Sequence, residues 1–347
     1  MGTLNWNELF PGRWSAVIFI SYMALFVNQG IIVTWSQNDK KYEYNTITVV
    51  LMTEVLKLIV SIIFYCRENT ILQLFKEIQK YKDVLILYMV PAFLYCLYNN
   101  LAFINLAAFD PTTYYLLLQL RVVMTGIVFQ VIFKKYLSTM QWISLLLLTL
   151  GCMIKHLNVN IKEPFSLPNF YLGINTFYIF IQTMCSCLAG VYNEYLLKRQ
   201  GADINIFVQN VFMYIDSILC NIVVLAAHGS LLQTFDSAGP SIFLQPKVIL
   251  IIINNTAIGI ITSFFLKNLN SILKNFASAL ELIFTAILSW ILFGIPIYIN
   301  TVLAIAIVSY SVLLYSRNPV QNAHPEVREI NTDMKESVPL SKKIQTV

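Results

Sequence analysis

The sequence predicts an all-α polytopic membrane protein, with ten transmembrane helices arranged as two inverted five-helix repeats. Three observations lead there. Hydrophobic residues make up 57% of the 347 and charged residues 12%, against roughly 45–50% and about 25% in soluble domains, and the mean hydropathy is +0.67. Too little polar surface remains to cover a globule in water, so lipid is the solvent for most of the chain. Apolar runs able to cross about 30 Å of hydrocarbon as helices fall at 14–34, 46–66, 84–108, 112–133, 139–157, 169–196, 205–227, 246–268, 274–293 and 296–316. Finally, adding 160 to a residue number carries the first five runs onto the last five without a gap: Gly30 meets Gly190, Leu106 meets Leu266, Leu120 meets Leu280, Thr125 meets Thr285, Ile127 meets Ile287 and Phe133 meets Phe293.

Each half has an odd number of spans, so the second inserts upside down relative to the first. That is the architecture of alternating-access carriers, whose site lies near the midplane between the repeats. The organisation is then a cytosolic N-terminus (1–13), a first repeat (14–157), a connecting loop (158–168), a second repeat (169–316) and a polar, Pro-containing tail (317–347) with the composition of a disordered segment. Segment 67–83 is charged and reads as an amphipathic surface helix, and 228–245 is the other long connection. Arg13, Arg67, Lys76, Lys80, Lys82, Lys134, Lys135, Lys198, Arg199 and the basic residues of the tail lie on one face. Lys40, Lys41, Lys155, Lys162 and Lys247 lie on the other, and the positive-inside rule places both termini in the cytosol. The formal charge of +5 reports this orientation rather than nucleic-acid binding. The six cysteines fall in or at the ends of apolar runs, where a disulfide framework has no loop to staple. Asn254-Asn255-Thr256 is a glycosylation sequon inside an apolar run and reads as unmodified. The run from Trp14 reads as a signal anchor.

Ionisable groups inside spans are costly and mark functional candidates. Glu54 and Lys57 stand three residues apart, either as a self-neutralising pair or as part of a gate. Arg121 has no partner on its own helix, cannot deprotonate, and shares a stripe with Tyr114, Leu118 and Thr125. The second repeat copies the stripe as Lys274, Ser278, Glu281 and Thr285. Facing each other, the copies would line one cavity with a guanidinium suited to bidentate phosphate contact and a point-charge ammonium, so a dianionic phosphorylated solute is the expected substrate. The other reading is a structural Arg121–Glu281 ion pair. Tyr95, Tyr98, Asn99 and Asn100, then Tyr192, Asn193 and Glu194, then Asn210, Tyr214 and Asp216 suit recognition of a base and a sugar, although tyrosines at this depth also serve packing. Cys185 and Cys187 read as packing residues rather than metal ligands, and His156, His228 and His324 form no catalytic pattern. No cofactor and no enzymatic activity are expected.

Thr53-Glu54-Val55-Leu56-Lys57-Leu58, Tyr98-Asn99-Asn100-Leu101-Ala102-Phe103, Gln119-Leu120-Arg121, Gln141-Trp142-Ile143-Ser144, Ala189-Gly190-Val191-Tyr192 with Glu194, Asn210 with Met213-Tyr214, and Leu273-Lys274-Asn275-Phe276 before Leu292-Phe293-Gly294 together resemble the nucleotide-sugar transporters of the CMP-sialic acid, UDP-galactose and UDP-N-acetylglucosamine group. The likeness spans about residues 14–315. It implies the drug/metabolite transporter fold and exchange of a cytosolic nucleotide sugar for the nucleoside monophosphate left in the Golgi lumen. It also implies that Arg121 stands on a phosphate-binding lysine position and Lys274 on the second. Tyr95, Tyr98, Asn99, Tyr114, Thr125, Ser186, Asn210 and Tyr214 then fall on cavity positions, with the base towards spans six and seven.

Arg121 for lysine, Cys187 where a glycine often stands, and the acids Asp216 and Glu281 depart from that pattern. The Gln119-Leu120-Arg121 variant leans to UDP-galactose or a UDP-N-acetylhexosamine, with UMP as counter-substrate. Glu281, opposite Arg121 in the repeat, is the expected surrogate counter-ion of the empty carrier, and Glu54 and Lys57 the expected gating pair. The lipid bilayer is the surrounding partner, and a homodimer or association with Golgi glycosyltransferases completes the partner expectation. Lys342 and Lys343 lie too far from the end for a dilysine retrieval signal, favouring Golgi over endoplasmic reticulum. Three alternatives stay open: a proton-coupled metabolite or drug exporter of the same fold, titrating on Glu54, Asp216 or Glu281; a multispan membrane transferase; and a non-transporting relative.

Overall fold

Backbone amides in hydrocarbon must find partners within their own segment, and the chain answers with helices. The computed structural model describes residues 6–36, 46–109, 111–156, 174–227, 245–294 and 297–320. The 158–168 connection, nearly all of 228–245 and the tail beyond 320 lie outside them. The helices are α1 (Trp6–Leu9), α2 (Ser15–Ser36), α3 (Thr46–Cys66), α4 (Ile71–Lys80), α5 (Lys82–Ala108), α6 (Pro111–Leu118), α7 (Arg121–Phe133), α8 (Thr139–His156), α9 (Ile174–Tyr195), α10 (Ile206–Ala227), α11 (Pro246–Asn268), α12 (Ser271–Phe293) and α13 (Ile299–Arg317). A π-helical turn, Leu196–Gln200, continues α9.

Among the described residues, nine stretches are long and apolar enough to cross a membrane. The ten expected spans are thus one fewer by length, because the apolar part of α8 covers only Thr139–Lys155. The fourth span is also not one continuous helix. It breaks at Gln119–Leu120, where the Gln119 amide donates to Leu116 O at 3.2 Å and the Leu120 amide to Leu117 O at 3.1 Å, tighter than α-helical spacing. The uninterrupted stripe from Tyr114 to Thr125 is therefore corrected: Arg121 opens a new segment instead of lying deep inside one.

The charged 67–83 segment does carry an amphipathic helix. In α4, Thr70 and Gln73 form a capping box, Leu74 is buried beside Tyr65 and Tyr88, and the Tyr65 hydroxyl donates to Glu77 Oε1 at 2.9 Å. α7 ends where Lys134 adopts a left-handed φ of 52°, and α12 ends at Gly294 with φ 66°.

α8 packs on α13, α5 on α9 and α10, α2 on α11 and α12, α3 on α10 and α11, and α7 on α9. Lipid tails offer no hydrophobic drive for helices to associate, so close backbone approach and buried polar contacts do the joining. Gly151 of α8 meets α13 so closely that a Cβ there would lie 2.9 Å from Val308 Cγ2. Ser311 Oγ donates to Ser144 O at 2.6 Å across the same seam. Asn28 donates to Asn254 Oδ1 at 2.9 Å, and Asn254 to Leu25 O at 3.1 Å, joining α2 to α11. The main buried cluster draws on α2, α7, α8, α9, α11, α12 and α13, and a second on α3, α4, α5, α10 and the π turn. Large apolar side chains such as Val131 (72% exposed) and Ile86 (67%) face outward, as they do when the surroundings are acyl chains rather than water.

Candidate functional site

Arg121 is the first residue of α7 because the chain breaks just before it. Its carbonyl is held from two directions: Thr125 Oγ1 donates to it at 2.7 Å and Cys187 Sγ, from α9, at 3.2 Å. Thr125 Oγ1 also lies 3.5 Å from Cys187 Sγ, so the departure from glycine at 187 clasps α9 to the start of α7. The guanidinium stays less satisfied, with Nε buried and without a hydrogen-bond partner. Lys274 stands in the first turn of α12, which Asn270 caps by accepting from the Leu273 amide at 2.7 Å.

The charges of Arg121 and Glu194 both act on Lys274. Two ion pairs occur among the described residues, Lys57–Glu54 at 2.7 Å and Lys198–Glu194 at 2.8 Å. Arg121 and Lys274 belong to neither, so the structural Arg121–Glu281 pair is not made. Glu281 instead feels Lys155 first and Arg121 second, and accepts from Thr285 Oγ1 at 3.5 Å. Lys155, at the end of the 139–157 run, sits on α8 and donates to Leu282 O at 2.9 Å.

Tyrosines gather around Arg121. Tyr95 neighbours Tyr98 and Cys187, and Gly190 keeps α9 clear of the Tyr95 hydroxyl, 3.8 Å from where a Cβ would stand. Tyr114 lies near Tyr98 and Arg121, and its hydroxyl accepts from Gln182 Nε2 at 2.9 Å. Asn105 Nδ2 donates in turn to Gln182 Oε1 at 2.7 Å. The Tyr22 hydroxyl lies against Ser278, with Arg121, Glu281 and Tyr95 around it.

Arg121, Lys274, Tyr95, Tyr98, Tyr114, Thr125 and Glu281 are thereby brought into one neighbourhood. Glu54, Lys57 and Tyr214 form another: Lys57 Nζ lies 5.6 Å from the Tyr214 ring centroid, Glu54 acts on the Tyr214 hydroxyl, and Ser263 lies beside it. Gly259 makes room for the Lys57 chain. Asn210, one turn before Tyr214, is buried with Nδ2 unpartnered. Ser186 is half-buried on α9, and Asn99 is exposed. Tyr22, Lys155 and Gln182 escaped the sequence reading, yet Tyr22 and Gln182 occupy the same place in the 160-residue register.

This arrangement presents two cations without ion-pair partners, with tyrosines around Arg121, inside a helical bundle. Comparison with known proteins identifies the family. The family model for nucleotide-sugar transporters matches residues 15–316. The UDP-galactose transporter senju of Drosophila melanogaster is 57% identical, over 92% of this chain and 90% of that protein. CMP-sialic acid transporter 4 of Oryza sativa subsp. indica is 33% identical, over 82% of this chain and 71% of its own. A crystal structure of another protein superposes with a TM-score of 0.62 at 12% identity, covering 88% of this chain and 97% of that one, and so shares the fold. This multi-span membrane protein belongs to the nucleotide-sugar transporter family, a family of transporters rather than enzymes.

Proposed function

We propose that the chain is an antiporter that carries a UDP-sugar, UDP-galactose or a UDP-N-acetylhexosamine, from cytosol to Golgi lumen in exchange for UMP, by alternating access of one site between two inverted five-helix halves. The observation that carries the reading is the coexistence of Arg121 and Lys274, both half-buried, in one neighbourhood and each outside any ion pair. Buried unpaired cations are destabilising until an anion arrives, and a pyrophosphate or phosphate supplies two or more negative oxygens. Arg121 offers a bidentate fork and Lys274 a point charge.

The two-repeat reading is supported by matching boundaries. Thr46 and Ile206, Pro111 and Ser271, Thr139 and Ile299 open helices 160 residues apart, and the left-handed terminators Lys134 and Gly294 keep the same interval. Exchanging the halves turns the α5–α9 contact into α11–α2, α5–α10 into α11–α3, and α7–α9 into α12–α2. The distribution of basic residues supports a cytosolic position for both termini. Tyr95, Tyr98, Tyr114 and Thr125 would line the phosphate and sugar end, with Ser186, Asn99, Asn210 and Tyr214 towards the base. Glu54 and Lys57 gate, and Glu281 lends Arg121 part of its countercharge when the site is empty. Exchange follows because an empty site whose two cations are only partly compensated resists being sealed from water. The UDP preference rests on the 57% identity to a UDP-galactose transporter.

The test is uptake of labelled UDP-, CMP- and GDP-sugars into liposomes holding purified protein and preloaded with UMP or CMP. Saturable uptake of one UDP-sugar that needs internal UMP and is lost in Arg121→Ala and Lys274→Ala is expected. Folded wild-type protein that takes up no nucleotide sugar overturns the proposal.

A further inference from the structure

At the end of α9 the structure places a buried acid that the phosphate site does not require. Glu194 is 1% exposed, and each of its carboxylate oxygens is engaged. Oε1 accepts from Lys198 Nζ at 2.8 Å, and Oε2 from the Ser271 backbone amide at 2.7 Å. Lys198 also donates to the Leu269 carbonyl. These contacts sew two separate parts of the chain together, since Ser271 opens α12 and Leu269 precedes it. Lys198 lies in the π-helical turn Leu196–Gln200, a distortion that recurs at functional places in helices.

The seam lies at the end of the bundle that carries both chain termini. Tyr315, whose hydroxyl accepts from the Val320 amide at 3.4 Å, is beside Glu194, and Gln141 Nε2 donates to Asn318 O at 3.0 Å nearby in the fold. Leu196, Leu197, Leu269 and Ile272 around the seam are 0–1% exposed, so this end is closed. Lys135, just beyond α7, joins the same electrostatic group: burial and then Arg199 and Lys198 push its ammonium below the ordinary lysine value, and Glu194 opposes them.

What turns a closure into a device is its distance in sequence from the substrate cation. Ser271, held by Glu194, and Lys274 share the first turn of α12, and the Glu194 charge acts on Lys274 directly. We propose that Glu194, with Lys198, is a latch on the terminal end of the carrier that doubles as countercharge to Lys274 in the empty protein, and that the substrate phosphate releases it by taking over that countercharge. The proposal rests on the nucleotide-sugar antiport reading. With the site empty, Glu194 is drawn both to the α12 amide and to the lysine one turn on. A dianion on Arg121 and Lys274 removes the second attraction and adds like-charge repulsion. The latch then loosens only in the loaded state, which is the differential interaction that a ligand-driven conformational change needs.

Glu194→Gln tests it, because the amide oxygen still accepts from Ser271 while the charge is lost. Liposomes loaded with UMP are assayed for exchange against external nucleotide sugar and for net UMP efflux into substrate-free buffer. The expected result is exchange within about threefold of wild type and net efflux raised about tenfold, the size of an ordinary coupling between sites. Lys198→Met is expected to do the same and Lys198→Arg to stay near wild type. An unchanged ratio of efflux to exchange overturns the latch, and so does equal loss of both fluxes in folded variants. A second measurement needs no variant: hydrogen exchange at the Ser271 amide in the wild-type protein is expected to speed up on adding UMP, and unchanged or slower exchange overturns the proposal. Wild-type protein without any nucleotide-sugar exchange overturns the transporter reading itself, a result distinct from either of these.

Discussion

Replacing Lys274 by methionine separates a cation kept for a ligand from one kept for the fold. The change preserves length and helix propensity and removes the charge. A lysine inside a membrane span costs about 2.5–3.5 kcal/mol at mid-depth, and here the cost is increased by Arg121 and offset by Glu194. Lys274 takes part in no ion pair, so the empty variant should be at least as stable as wild type. Ligand binding reverses the comparison. At about 100 times its dissociation constant a nucleotide adds about 2.7 kcal/mol to wild type, and at roughly 2–4 °C per kcal/mol this is a melting shift of roughly 5–11 °C. Without the ammonium the shift should fall below about half of that, since a charge-assisted contact to phosphate is among the stronger hydrogen bonds, at about 1.5–3 kcal/mol. The assay is thermal unfolding in detergent with and without UMP. An empty variant that melts well below wild type would show Lys274 to be a structural partner of Glu194, and a wild-type UMP shift in the variant would remove Lys274 from the site.

Gly151→Leu should lower stability by about 1–3 kcal/mol without altering the UMP shift, because its new side chain meets Val308 Cγ2 at 2.9 Å and the Val308 backbone nitrogen at 3.3 Å, which cannot give way without moving α13; thermal melts check it. Gly259→Leu should leave the protein folded but slow exchange by about tenfold or more, since its Cβ comes within 2.7 Å of Lys57 Cδ and displaces the ammonium from Glu54 and Tyr214. A wild-type exchange rate in that variant would remove Glu54 and Lys57 from the transport cycle. Cys187→Ser should keep exchange within about threefold, as a hydroxyl replaces the thiol donor to Arg121 O, whereas Cys187→Val, which cannot donate, should weaken UMP binding measured by the same thermal shift.

Nine of the expected spans were legible because length and hydropathy are the main requirements of a spanning helix. The break at Gln119–Leu120 was not, since neither glycine nor proline stands there, and only tertiary packing tells the chain to restart at Arg121. The role of Lys155 was missed for a related reason. It was counted only among the basic residues of one face, and the contact that draws it inward, to Leu282 O, lies 127 residues away. Glu194 was noticed as an intramembrane acid, but the contacts of its seam with Ser271 and, through Lys198, with Leu269 are made to backbone groups, which carry no side-chain signature.

The 160-residue register relates backbones more faithfully than it relates charges. Tyr114 corresponds to Lys274 and Arg121 to Glu281, and α12 runs unbroken where its counterpart divides into α6 and α7. On the proposed reading, an anion held by Arg121 and Lys274 sits on an element from each half without sitting on the axis that relates them, and its two exits are not equivalent. Lys155 acts on Glu281, while Tyr315, its place-mate in the register, lies beside Glu194. Two acids then flank the site differently: Glu281 lies in the field of Lys155, and Glu194 is bonded to Lys198 and the α12 amide. A carrier that must open at one end at a time has a use for that inequality. If the two acids held their ends with equal strength, the bound anion would loosen both at once, and the pathway would leak. Holding one end with direct hydrogen bonds and the other with a longer-range field lets the same anion perturb them by different amounts.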